Sequence, residues 1–84
     1  RTMLLGEAAN GLGRNLALLG RIDEARASFA RAVRIDPGNL GARVNLARTM
    51  LLAKQPAQAA SELREVLRRD PGNAPARELL LQAE

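Results

Sequence analysis

Asp36-Pro37-Gly38-Asn39 returns unchanged as Asp70-Pro71-Gly72-Asn73, so the chain repeats itself with a shift of 34 residues. A fixed period of about 20–50 residues is the mark of a solenoid, in which each unit buries its apolar face only against its neighbours. Outward from that turn, residues 6–39 align with 40–73 through Ala8/Ala42, Leu12/Leu46, Arg14/Arg48, Leu18/Leu52, Ala25/Ala59 and Arg34/Arg68. With the turn these make ten identities in 34 positions, against roughly three or four expected by chance in a chain this rich in Ala, Leu and Arg. A third copy starts at Ala74 and runs for eleven residues.

The 84-residue chain is poor in strand formers and has Phe29 as its only aromatic, so it reads as all-α. Its size allows one small domain, near the limit where oligomerisation or a larger parent protein adds stability. The chain opens on Arg1 rather than Met, as a fragment or processed product would. It contains no cysteine and no histidine, which removes disulfides, thiolate metal sites and the commonest general base. No apolar run is long enough to span a bilayer and no signal peptide is visible. A soluble protein is expected, in the cytoplasm rather than the periplasm, with no cofactor and no metal.

Punctuation divides the chain into helices. The first is expected from about Gly6, or earlier, to Leu19, and Gly20-Arg21 form a turn. The second runs from Ile22 to Ile35, with Asp23 and Glu24 in its first turn and Arg31 and Arg34 near its end, as the helix dipole favours. Pro37 and Gly38 stop it, and Asn39 is placed to cap a third helix from Leu40 to about Ala53. Pro56 suits the first turn of a fourth helix, and Asn73 with Pro75 starts a fifth. Inward stripes at helical spacing are Ala9, Leu12, Gly13 and Leu16, facing Ala25, Phe29, Ala32 and Val33. The second unit supplies Leu46, Ala47 and Met50, facing Ala59, Leu63, Val66 and Leu67. Among the glycines of the first helix, only Gly13 has a packing reason, and this helix is expected to be the least stable.

These residues resemble the tetratricopeptide repeat, whose unit reads W-x2-L-G-x2-Y, then A-x3-F, then P. The first unit offers Ala9, Leu12-Gly13, Leu16, Ala25, Phe29 and Pro37; the second offers Arg43, Leu46-Ala47, Met50, Ala59, Leu63 and Pro71. The resemblance implies an α-solenoid of antiparallel helix hairpins within a single domain, residues 1–84. Repeat 1 would be residues 6–39 and repeat 2 residues 40–73, with residues 74–84 a partial third repeat or capping helix. It also implies a non-catalytic protein-interaction scaffold that takes a peptide or protein segment in a groove lined by the first helix of each unit.

On this chain the groove would carry Asn10, Arg14 and Leu18 from one unit and Val44, Asn45, Arg48 and Leu52 from the next. Glu7, Ala17, Gly41 and Leu51 would flank them, and Glu78 and Gln82 would extend the wall. Arg14 and Arg48, one period apart, could take carboxylates bidentately, while Asn45 could hold a peptide backbone. The other reading of both arginines is a solvated surface role. Some family members clamp a C-terminal carboxylate with Lys, Asn and Arg; only Asn45 fits that pattern here, since Asn10 stands in place of the lysine.

A net charge of +4 raises nucleic acid as a partner. The basic residues are scattered, however, and no aromatic platform accompanies them, so this partner is disfavoured. Catalysis is disfavoured too, because no nucleophile–base set or phosphate-cradling loop is present. Self-association through the chain ends is the second reading. Leu79, Leu80 and Leu81 in succession cannot all be buried by one short helix, which marks Leu79 and Leu81 as an association surface, and Met3, Leu4 and Leu5 pose the same problem at the other end.

Overall fold

Two of the helices begin at an asparagine that supplies a partner for the free backbone N–H groups of a helix terminus. The computed structural model describes residues 2–84, with side chains from Leu4 onward. Five helices account for almost all of it: α1 (Thr2–Leu18), α2 (Ile22–Ile35), α3 (Leu40–Leu52), α4 (Pro56–Arg69) and α5 (Ala74–Ala83). No strand occurs among the described residues.

In both copies of the repeated turn the Asp carbonyl accepts the Asn backbone N–H, at 3.0 Å for Asp36/Asn39 and 3.1 Å for Asp70/Asn73. Each Asn side-chain oxygen then accepts the backbone N–H three residues on, from Ala42 and from Ala76, both at 3.0 Å. α3 and α5 thus start from the same N-cap. The turns within the hairpins also match. Arg21 N–H donates to Leu16 O and Gly20 N–H to Ala17 O; Gln55 N–H donates to Met50 O and Lys54 N–H to Leu51 O. This crossed pair of bonds needs a left-handed residue, supplied by Gly20 at φ 77° and by Lys54 at φ 62°.

α1 packs chiefly on α2, α3 on both α2 and α4, and α5 on α4 and α3. Ala9, Ala32 and Ala42 let α1, α2 and α3 meet closely, beside a cluster of Ala25, Phe29 and Leu46. The larger cluster is Val44, Ala47, Ala59, Leu63, Val66, Ala76 and Leu79, in which Leu63 and Val66 are fully buried. Gly13 lies under the Phe29 ring, where a β-carbon would stand 2.6 Å from Cε1. The second unit meets the same constraint with Ala47 and the smaller Leu63.

The hairpins also share a polar tie at equivalent places. Ser28 Oγ donates to Ala9 O at 2.7 Å, and thirty-four residues later Arg43 pairs with Glu62 at 3.1 Å. Arg43 Nη2 reaches back to Pro37 O, which Arg69 Nη1 also bonds, so one turn carbonyl is held by two helices.

Two expectations need correction. Leu12 is 53% exposed although its counterpart Leu46 is 4% exposed, because α2 covers Leu46 and no described helix stands on that side of α1. Leu79 is core, packed among Val44, Val66 and Ala76, so it offers no association surface; Leu80 is half-buried and only Leu81, at 77%, stands free. α1 begins at Thr2, within the earlier start that the sequence leaves open, because Leu4, Leu5, Glu7 and Ala8 are compatible with helix and nothing among them stops one. Leu4 and Leu5 are exposed, while the Met3 side chain lies outside the described residues.

Candidate functional site: the cleft between α1 and α3

Because α1 and α3 are successive first helices of their units, residues one period apart come side by side on one face. There Arg14, Ala17 and Leu18 of α1 face Asn45, Arg48, Thr49 and Leu52 of α3 across a cleft of about 310 Å³ that also touches Phe29 of α2. The volume is at the bottom of the range of about 300–1,000 Å³ typical of ligand pockets.

Polar order in the cleft centres on Asn45. Its Nδ2 donates to Asn10 Oδ1 at 3.1 Å, and its Oδ1 accepts from Arg48 Nη1 at 3.1 Å. Thr49, buried, donates its hydroxyl to Asn45 O within the helix. Arg48 is thereby oriented with most of its donors unused. Arg14 makes no ion pair among the described residues. Leu18 and Leu52, 86% and 59% exposed, are unusually open for leucines and form the apolar part of the wall.

A second concavity of about 400 Å³ lies on the opposite side, lined by Arg26, Ala27, Ala30, Met50, Gln58 and Glu62 among others. Its charges are already engaged: Arg26 with Gln55 and Asp23, Glu62 with Arg43. The smaller cleft leaves cationic donors free beside apolar surface.

Arg14, Leu18, Asn45, Arg48 and Leu52 thus meet as the spacing predicts, with Asn10 one hydrogen bond behind them. Val44 does not. It is 6% exposed and packs with Ala76 and Leu79, because α5 lies against α3 on that side. Glu78 and Gln82 are exposed on α5 and do not line the cleft. Phe29 and Thr49 are lining residues that sequence reasoning did not assign to the groove; it placed Phe29 in the core stripe, and nothing marked Thr49.

The tetratricopeptide repeat family model matches residues 16–83, from the last turn of α1 through α5. The chain belongs to this family, in an all-helical repeat fold. Its members typically serve as protein-interaction scaffolds rather than catalysts. No curated protein matches the chain. No helix among the described residues is long and apolar enough to cross a membrane.

Proposed function

We propose that the protein is a scaffold that holds an acidic, partly apolar segment of another protein in the α1–α3 cleft. The observation that carries this reading is the juxtaposition of two underused guanidinium groups, Arg14 and Arg48, with exposed Leu18 and Leu52 around one cavity. A carboxylate on the segment would accept bidentate hydrogen bonds from Arg48, which Asn45 orients, or from Arg14. An adjacent apolar side chain would cover Leu18, Leu52 and the edge of Phe29, removing apolar surface from water at about 25 cal/mol per Å². Recognition of this kind favours carboxylates over phosphate-rich nucleic acid only through the apolar component, so both halves of the site are needed.

The test uses a capped peptide of alternating Asp and Leu, with an alternating Lys and Leu peptide as the control, and reads binding by fluorescence anisotropy. The acidic peptide should bind and the basic one should not. Arg14→Glu with Arg48→Glu should weaken binding about tenfold or more, since a hydrogen bond to a charged group is worth about 1.5–3 kcal/mol. Equal binding of both peptides, or indifference to the double substitution, would remove the cleft from consideration.

A further inference from the structure

Asn10 and Asn45 make the one side-chain hydrogen bond that joins α1 to α3 among the described residues, with Asn45 Nδ2 donating to Asn10 Oδ1 at 3.1 Å. One period further on, the same two places are held by Val44 and Leu79, which pack in one apolar cluster at 6% and 8% exposure. The repeat thus builds this contact from hydrocarbon where packing is all that is required. An amide pair gains less from burial than Val and Leu do, because half-buried amides give up water for the bond they make.

The orientation of the pair is dictated by Arg48. A guanidinium has only donors, so Asn45 turns its Oδ1 to Arg48 Nη1, at 3.1 Å. That leaves Asn45 Nδ2 for Asn10, which answers with its own Oδ1. Turning the Asn45 amide over would set N–H against N–H at Arg48 and oxygen against oxygen at Asn10, so Asn10 locks the amide from behind. Both side-chain carbonyls are engaged within this relay, and Thr49, 2% exposed, has its hydroxyl committed to Asn45 O. What the polar wall offers a ligand is N–H, from Arg14, from Arg48 and from the second hydrogen of Asn45 Nδ2.

We infer that Asn10 is a specificity-determining residue of the α1–α3 cleft: through Asn45 it keeps the polar wall donor-only, so that the cleft selects a carboxylate over the isosteric carboxamide. The inference rests on the proposed capture of an acidic segment and adds a second filter to it. Charge alone draws any acidic chain to Arg14 and Arg48. The relay also refuses a ligand amide, whose N–H groups meet no acceptor turned toward them. Asn10 acts through Asn45 and is a positioning residue.

Fluorescence anisotropy with two capped peptides, alternating Asp and Leu or alternating Asn and Leu, tests it. The chain should bind the Asp peptide about tenfold or more tighter than the Asn peptide, the scale of one hydrogen bond to a charged group. Asn10→Val changes no charge but frees Asn45 to turn its carbonyl into the cleft, and the preference should fall about threefold or more. Adding Asn45→Leu removes that carbonyl and should bring the preference back. This double variant carries the Val and Leu that the next period uses, so its helical circular dichroism should be unchanged. In the unliganded protein, NMR should show the two Asn45 side-chain amide protons exchanging with water at unequal rates. The rates should become alike in Asn10→Val and stay unequal in Asn10→Asp, which keeps the accepting oxygen. A preference unchanged in Asn10→Val, or not recovered in the double variant, overturns the inference and leaves capture of the acidic peptide standing. Equal exchange of the two protons in the unsubstituted chain overturns it as well. Binding of neither peptide overturns it together with the reading of the cleft.

Discussion

Gly13 and Phe29 show how one residue's size fixes another's. A β-carbon at Gly13 would sit 2.6 Å from the Phe29 ring, so Gly13→Ala forces the ring to move and should destabilise by about 1–3 kcal/mol. Adding Phe29→Leu should return part of that loss, because the second unit is built from the same Ala and Leu combination at Ala47 and Leu63. Urea denaturation of the two variants checks this. Gly11 is the opposite case, an interior helical glycine with nothing within 4 Å of an added β-carbon. Gly11→Ala should raise stability by about 0.5–1 kcal/mol. Lys54 occupies the left-handed position that Gly20 holds in the first unit, so Lys54→Gly should also stabilise the fold, read as a higher urea midpoint.

At the scale of the helix, α2 and α4 carry basic residues in their last turns, where the helix dipole favours them. Glu65 of α4 accepts hydrogen bonds from Arg68 and Arg69, and these, Arg68 first, hold its carboxyl down at about 2, from an ordinary value of 4.5. A depressed folded-state pKa stabilises above the unfolded value and is lost as pH falls through the folded one. The contribution should therefore fade between about pH 4.5 and 2, and Glu65→Gln should flatten that part of an acid-unfolding curve followed by circular dichroism. Leu63, fully buried at the centre of the α3–α4–α5 cluster, is the stronger determinant; Leu63→Ala should lose about 2–5 kcal/mol in the same denaturation assay. Helix starts and stops were legible because Asn39, Asn73, Pro56 and Gly20 act locally, through the backbone of their own turn. The extra turn of α1 was less legible, since Leu4 to Ala8 permit a helix without signalling where it begins.

Over the whole molecule, the repeat is why the cleft could be read in advance: a 34-residue shift brings Arg14 and Arg48 onto adjacent helices of one face. Periodicity treats every unit as having two neighbours, and Leu12 is misread where that fails, while Val44 and Leu79 are misread where α5 packs on the second unit. Leu12 is exposed because no described helix covers it, Val44 is buried because α5 reaches α3, and Leu79 joins the core for the same reason. The hydrogen bonds that make Asn45 a hub for Asn10 and Arg48 depend on helix separation, which spacing alone does not supply. The molecule is a small solenoid with a cationic, partly apolar cleft on one face. The most direct test of the cleft is a two-dimensional amide NMR titration with the capped Asp/Leu peptide. Shifts concentrated on Arg14, Ala17, Leu18, Asn45, Arg48, Thr49 and Leu52, and lost in the Arg14→Glu/Arg48→Glu variant, are the result this structure predicts. Shifts centred on the α2–α4 face around Arg26 and Gln58, or scattered over all the arginines, would contradict it.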